Sequence, residues 1–230
     1  MPFQNRVTPF GELIATPERG LVYGNRGRLH DEHGVIRRPW LVKRWISCRL
    51  EFRGRYRPGG PMAPNRYTGL FFLDEATALA AGHRPCAYCR RPDYLDFAEA
   101  WRAARDLPGR PRANEMDAVL HHERVGGLRR QVTRRAPAAG LPDGAMIRAD
   151  GRIGLLVAGR LRPWSFGGYG PPAQVKTPGV VEVLTPPSTV AAIAAGYRPL
   201  VHPTALAPAG EVPPGLRAHG VTRPRPARAG

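Results

Sequence analysis

The stretch Gly69-Leu70-Phe71-Phe72-Leu73-Asp74-Glu75-Ala76-Thr77-Ala78-Leu79-Ala80-Ala81-Gly82-His83-Arg84-Pro85-Cys86-Ala87-Tyr88-Cys89 carries three local signals in one run. Residues 70–73 are apolar and read as a buried strand or the approach to a helix. Residues 76–81 read as a short helix that Asp74 or Thr77 can cap. Gly82 stands where a left-handed C-cap glycine belongs, and Pro85 forbids continuation. The third signal is chemical. Cys86 and Cys89, separated by two residues after a helix stop, can both reach one metal ion from a tight turn. Zinc takes thiolates at about 2.3 Å and prefers four ligands. Arg84, Arg90 and Arg91 flank the pair and lower the thiol pKa values, which favours metal binding. A redox pair is the competing reading, but it calls for a βαβ context that this sequence lacks. Cys48, the remaining thiol, is the natural third ligand. A fourth must be His, Asp or Glu, with His30, His33 and His83 the near candidates.

The helix end recurs. Residues 78–85 (ALAAGHRP) return as residues 192–199 (AIAAGYRP), without cysteines after the second copy. The shared part is a structural device, and any chemistry belongs to the residues after the first copy. Around these anchors, residues 21–23, 40–42 and 45–52 read as short strands, and 54–66 as a loop. An amphipathic helix is expected over residues 93–105, with Tyr94, Phe97 and Trp101 on a core-facing side. Asn114 can cap a second helix through about Arg124. Residues 126–142 read as a basic loop, and 144–184 as β-rich.

The chain has 230 residues, 42 % of them hydrophobic, with 35 Lys+Arg against 18 Asp+Glu, a formal charge of +17. This composition is globular, and the length suffices to bury a core without disulfides. Three cysteines exclude a disulfide framework and fit a reducing cytoplasm. No apolar run is long enough for a membrane span, and no signal peptide is expected at the N-terminus. Only Lys43 and Lys176 are lysines, the mark of a GC-rich genome, so the sign of the charge informs and the Arg/Lys ratio does not. A positive field of this size favours polyanions, of which nucleic acid is the usual one.

Residues 69–89 closely resemble the second half of the Ada-type metal-binding domain, a zinc module of bacterial DNA repair. The run through Ala-Ala-Gly-x-Arg-Pro-Cys-x-x-Cys is continuous. Residues 21–30 are a weaker echo of the strand that delivers that family's first ligand. In that register His30 takes the first ligand position and Cys48 the second. The resemblance covers roughly residues 20–92. It departs from the family in having three cysteines rather than four, a wider spacing between the first two ligands and a longer loop from Cys48 to Cys86. It implies one Zn²⁺ per chain held by His30, Cys48, Cys86 and Cys89, and a zinc-stapled module that contacts DNA. The family's zinc also activates one cysteine to accept a methyl group from a DNA phosphotriester. A histidine at that position removes this reaction, and Cys48 is the only remaining candidate acceptor. The layout of the whole chain is also similar to that of a group of bacterial proteins, which implies no activity.

Two further groups of residues are candidates. Arg53, Arg55, Arg57 and Arg66, in the loop after Cys48, suit phosphate contacts together with Arg84, Arg90 and Arg91. On the second predicted helix, Asp117 and His121 share a face at i and i+4, with Glu123 nearby. Such a set can bind a divalent ion or orient a general base, as a nuclease requires. A solvated, internally paired helix face is the competing reading. Trp164, Phe166 and Tyr169, among arginines and glycines, can stack on unpaired bases or pack a turn.

The expected class is α+β: a zinc-stapled small β-rich unit over residues 1–92, a helical connector over 93–135, a β-rich unit over 136–204 and a flexible basic tail over 205–230. The expected function is zinc-dependent binding of nucleic acid, DNA rather than RNA, in repair or regulation. A metal-dependent nuclease and a purely structural zinc protein are the alternatives. No small-molecule cofactor and no membrane partner are expected.

Overall fold

The computed structural model describes residues 1–54, 59–126, 131–175 and 179–207. The class is α+β, and the described residues form four helices and two six-stranded sheets. The first sheet contains β1 (Gln4–Val7), β2 (Leu13–Ala15), β3 (Val22–Asn25), β4 (Ile46–Arg49), β5 (Leu70–Phe72) and β6 (Arg84–Pro85), in the order β2-β1-β5-β3-β4-β6. It is mixed, because β1–β5 and β4–β6 pair in parallel. The second sheet contains β7 (Arg134–Pro137), β8 (Met146–Ala149), β9 (Arg152–Val157), β10 (Arg160–Ser165), β11 (Gly168–Tyr169) and β12 (Val180–Val183), in the order β11-β10-β9-β8-β12-β7. All its pairings are antiparallel.

The six-residue helix α1 (Glu75–Ala80) sits where the layers meet. Its Ala78 packs with Val22, Leu70 and Phe72 of the first sheet. Its Ala76 and Ala80 pack with Met146, Leu155 and Tyr169 of the second. Its Leu79 joins Phe97 and Trp101 of α2 (Arg91–Ala104), Met116 and Leu120 of α3 (Ala113–Arg124) and Ile193 of α4 (Pro187–Ala194). A helix this short is unstable alone, so burial and caps must hold it. Asp74 Oδ1 accepts from the Thr77 N–H at 2.9 Å, while Oδ2 accepts from the Tyr169 hydroxyl at 2.8 Å. The cap thereby ties α1 to the second sheet.

The repeated helix end is a pair of Schellman turns. The His83 N–H donates to Ala78 O at 2.9 Å and the Gly82 N–H to Leu79 O at 2.9 Å. In the second copy the Tyr197 N–H donates to Ala192 O at 3.0 Å and the Gly196 N–H to Ile193 O at 3.0 Å. Gly82 (φ +81°) and Gly196 (φ +113°) occupy the left-handed region these turns require.

Several elements differ from expectation. The helix expected over 93–105 starts at Arg91, and Phe97 and Trp101 are buried on its inner face. The helix expected to be capped by Asn114 begins at Ala113, because the Glu115 carboxylate reaches back to the Arg112 N–H at 2.7 Å. Residues 40–42 form no strand, since the N–H groups of Leu41 and Val42 both turn onto Arg26 O, at 3.0 and 3.3 Å. Part of the expected loop, Arg134–Pro137, pairs with β12 instead. Packing runs continuously across residues 92 and 135, because α1 to α4 share one core. The expected tail lies outside the described residues from 208 onward. Among the described residues, no helix is long and apolar enough to cross a membrane.

The two glycines provide a test. A Cβ at Gly196 meets nothing within 4 Å, so Gly196→Ala should lose only the left-handed backbone cost, about 1–2 kcal/mol. A Cβ at Gly82 would overlap the Arg124 side chain, which is fixed by hydrogen bonds to Gly82 O and Lys43 O. Gly82→Ala should therefore show the larger loss in urea unfolding, and equal losses would refute the packing argument.

Candidate metal centre

Two local structures and one long-range pairing assemble the cysteines. Cys48 lies in β4, and Cys86 directly follows β6. β4 and β6 pair in parallel through Ile46↔Arg84 and Ser47↔Pro85, and the Cys86 N–H continues the ladder onto Ser47 O at 2.9 Å. A tight turn then brings in Cys89, closed by the Arg90 N–H donating to Cys86 O at 3.1 Å. The three sulfurs lie within 4.8 Å of one another. Among the described residues, no other group of three or more His, Cys, Asp or Glu side chains comes this close together. Cys86 and Cys89 are buried, and Cys48 is half-buried. Such a set could hold a metal ion.

Cys86 accepts from the thiols of Cys48 and Cys89 and from the backbone N–H groups of Cys89 and Tyr88, which lower its pKa below the usual thiol range. Cys48 is correspondingly pushed far up, first by its bond to Cys86, then by Cys89 and burial. Backbone N–H groups aimed at a sulfur stabilise a thiolate whether the positive partner is a proton or a metal.

His30 stands apart from this group. Its Nδ1 is 2.6 Å from Thr68 Oγ1 and its Nε2 is 3.1 Å from Ala63 O, so both ring nitrogens are engaged by a loop wall. His33 is exposed beside Glu32. His83 is fully buried, with its ring 4.7 Å from that of Phe72 and 5.4 Å from that of Trp45. Among the described residues, none of the three histidines expected as a fourth ligand joins the sulfurs.

The arginines divide by burial. Arg84 is buried and forms a two-point ion pair with Asp117, Nε to Oδ1 at 2.9 Å and Nη2 to Oδ2 at 2.8 Å. Arg90 is buried and pairs with Glu75 at 2.8 Å and Asp93 at 3.0 Å. Neither faces a solvent-borne phosphate, because folding has given each an internal carboxylate. Arg53, Arg66 and Arg91 are exposed, while Arg55 and Arg57 lie outside the described residues. Sequence reasoning missed an aromatic pair next to the cysteines, the exposed Tyr88 and the half-buried Phe52. Tyr88 and Phe52 meet edge to face at 5.2 Å, and the Arg53 guanidinium lies 5.2 Å from the Phe52 ring. An aromatic inside the C-x-x-C turn was the one signal that pointed to it.

The expected nuclease centre is dispersed. Asp117 is taken by Arg84. His121 packs edge-on against Trp40 at 4.6 Å. Glu123 accepts from the Ser188 N–H at 3.0 Å and from the Ser188 hydroxyl. The three residues serve three separate packing contacts. Tyr169, expected among stacking aromatics, is buried against Asp74, and Trp164 Nε1 donates to Thr77 Oγ1 at 3.1 Å.

No known protein family, curated protein or solved structure matches this chain.

Asp117→Ala should lose about 3–5 kcal/mol in urea unfolding, because it strands the buried Arg84 charge. Arg37→Ala, which breaks an exposed pair with Asp31, should lose no more than about 1 kcal/mol. Equal effects would overturn the structural role of Asp117. A second expectation concerns acid. Burial, then Arg26 and Arg124, hold the folded-state pKa of His83 well below 6.5. The unfolded chain therefore binds this proton first, and stability falls as pH drops below about 6.5, by up to about 1.4 kcal/mol per pH unit. His202, also lowered by burial, adds to the same limb. His83→Phe should flatten that limb in a stability–pH series, and an unchanged slope would refute the assignment.

Proposed function

We propose that this protein binds one zinc ion through Cys48, Cys86 and Cys89, and that the zinc-stapled face binds nucleic acid, DNA in preference to RNA, in a repair or regulatory role. The observation that carries the reading is the three-sulfur cluster within 4.8 Å, with the exposed Tyr88 of its turn against Phe52 and the Arg53 guanidinium near the Phe52 ring. Three clustered sulfurs suit a thiophilic ion with a tetrahedral preference, and zinc is the common one. Three protein ligands leave a fourth position for a group from solvent, from substrate or from residues outside the described set. Of the residues outside that set, only Glu211 and His219 have a suitable side chain.

The nucleic-acid half of the reading is supported by the net charge of +17 and by the arrangement of the surface. Arg53, Arg66 and Arg91 offer guanidinium forks to phosphates, while Phe52 and Tyr88 offer ring edges and faces to bases. The likeness of residues 69–89 to the Ada-type zinc module supports DNA over RNA. With His30 engaged elsewhere, the ligand set of this chain is the three cysteines rather than the four residues implied by that likeness.

Protein purified without added metal should contain close to one zinc per chain by elemental analysis, and Cys86→Ser should contain almost none. Unchanged zinc in that variant would refute the site. Binding to duplex DNA should weaken steeply with salt, log K falling by about 0.9 per phosphate contact for each unit of log salt. Arg91→Gln should lower that slope while leaving the zinc content intact. Absence of binding to DNA and RNA alike at low salt would refute the nucleic-acid reading and leave the metal a structural staple.

A further inference from the structure

Trp45, the residue before β4, lies close to two buried guanidinium groups. The Arg26 guanidinium carbon lies 4.8 Å from the Trp45 ring centroid, and that of Arg124 lies 3.9 Å from it. Arg26 is 2 % exposed and Arg124 is 1 % exposed. Among the described residues each donates only to backbone carbonyls: Arg26 Nη2 to Gly11 O at 2.6 Å, Arg124 Nη2 to Lys43 O at 2.6 Å and Arg124 Nη1 to Gly82 O. Neither forms an ion pair among the described residues, and the Nε of each has no hydrogen-bond partner there. The carboxylates closest to Arg124 are committed elsewhere, Asp117 to Arg84 and Glu123 to Ser188 and Arg105.

Both arginines line one cavity of about 520 Å³, with Trp40, Trp45, Gln131 and Glu12 also in its wall. Glu12 is exposed at the rim. Gln131 donates through Nε2 to Ala80 O at 2.9 Å, and its Oε1 is a buried acceptor without a donor. The cavity thus holds two buried cations that form no ion pair among the described residues, an unused acceptor and an aromatic wall, with Glu12 at its rim. A buried charge left unpaired costs several kcal/mol, so folding stability calls for a counter-ion here.

We propose that this cavity is a binding site for a small oxyanion, a phosphate monoester or a carboxylate, borne on a flat apolar group. Its oxygens accept from Arg26 and Arg124, a hydroxyl on it donates to Gln131 Oε1, and the apolar part lies against Trp40. Guanidinium forks match both oxyanions, and a dry aromatic wall strengthens the contact. The site shares no residue with the cysteine cluster and does not depend on the metal or nucleic-acid reading. Outside the described residues the only acidic side chain is Glu211.

The test compares two variants of equal net charge, Arg26→Gln and Arg152→Gln, with Glu211→Gln as a third. Inorganic phosphate, added against chloride at constant ionic strength, should raise the Tm of the full-length protein by about 3 °C once it exceeds its Kd several-fold. Arg152→Gln, an exposed arginine outside both sites, should respond equally, Arg26→Gln should not respond, and Glu211→Gln should respond at least as strongly as the parent. An equal response from all the variants would mean general ion screening and overturn the site, as would no response from the parent. Should Arg26→Gln fail to fold by circular dichroism, the parent protein decides alone. Phenyl phosphate should quench its tryptophan fluorescence saturably, and inorganic phosphate should reverse the quenching. Unsaturable quenching, or quenching that phosphate leaves unchanged, would overturn the proposal.

Discussion

The left-handed turn at Gly82 is the constraint on which the rest of this structure depends. It stops α1 after six residues and reverses the chain, so that Arg84 and Pro85 run parallel to β4. That pairing is only two residues long, yet it sets Cys86 beside Cys48 and sends α2 across the helical core. A side chain at this glycine would collide with Arg124, whose own position depends on the Gly82 carbonyl. Backbone conformation, core packing and the assembly of the sulfurs are therefore coupled at one residue.

Charge pairing around α1 explains why so basic a chain can bury so many arginines. Glu75 accepts from Arg90, from the Tyr197 hydroxyl at 2.7 Å and from the Leu200 N–H at 2.9 Å. Asp117 holds Arg84 in a bidentate fork, the geometry in which a buried pair best offsets its desolvation. Arg84 and Arg90 thus build the support beneath the sulfurs rather than the surface above them. Arg26 and Arg124 differ, because they have aromatic and carbonyl neighbours but no carboxylate among the described residues.

The second copy of the helix end separates structural from chemical content. The turn at Gly196 makes the same two backbone bonds as the turn at Gly82. His83 and Tyr197 occupy equivalent positions, and both point into the core. The two copies diverge at the end of the octapeptide. Arg84 and Pro85 of the first form β6 and lead to two cysteines, while the second leads into the Leu200 contact to Glu75. The repeated octapeptide is a folding element, and the chemistry is appended to one copy.

Local signals were legible in the sequence because they act over one or two turns of chain. Asp74 as a cap, Gly82 and Gly196 as helix stops, the C-x-x-C turn and the inward face of Phe97 and Trp101 follow from backbone stereochemistry and periodicity. Cys48 was also legible, as the one thiol left to complete the set. The β1–β2 hairpin and β7 were not, because short edge strands have too few residues to show alternation. Nor could the sequence decide which titratable groups meet. His30 turns to Thr68, Asp117 to Arg84 and Glu123 to Ser188, contacts spanning 38, 33 and 65 residues. Such pairings depend on which faces of separate elements pack together, and the free energy that selects them, burial of apolar area with most buried polar groups partnered, exists only in the assembled fold.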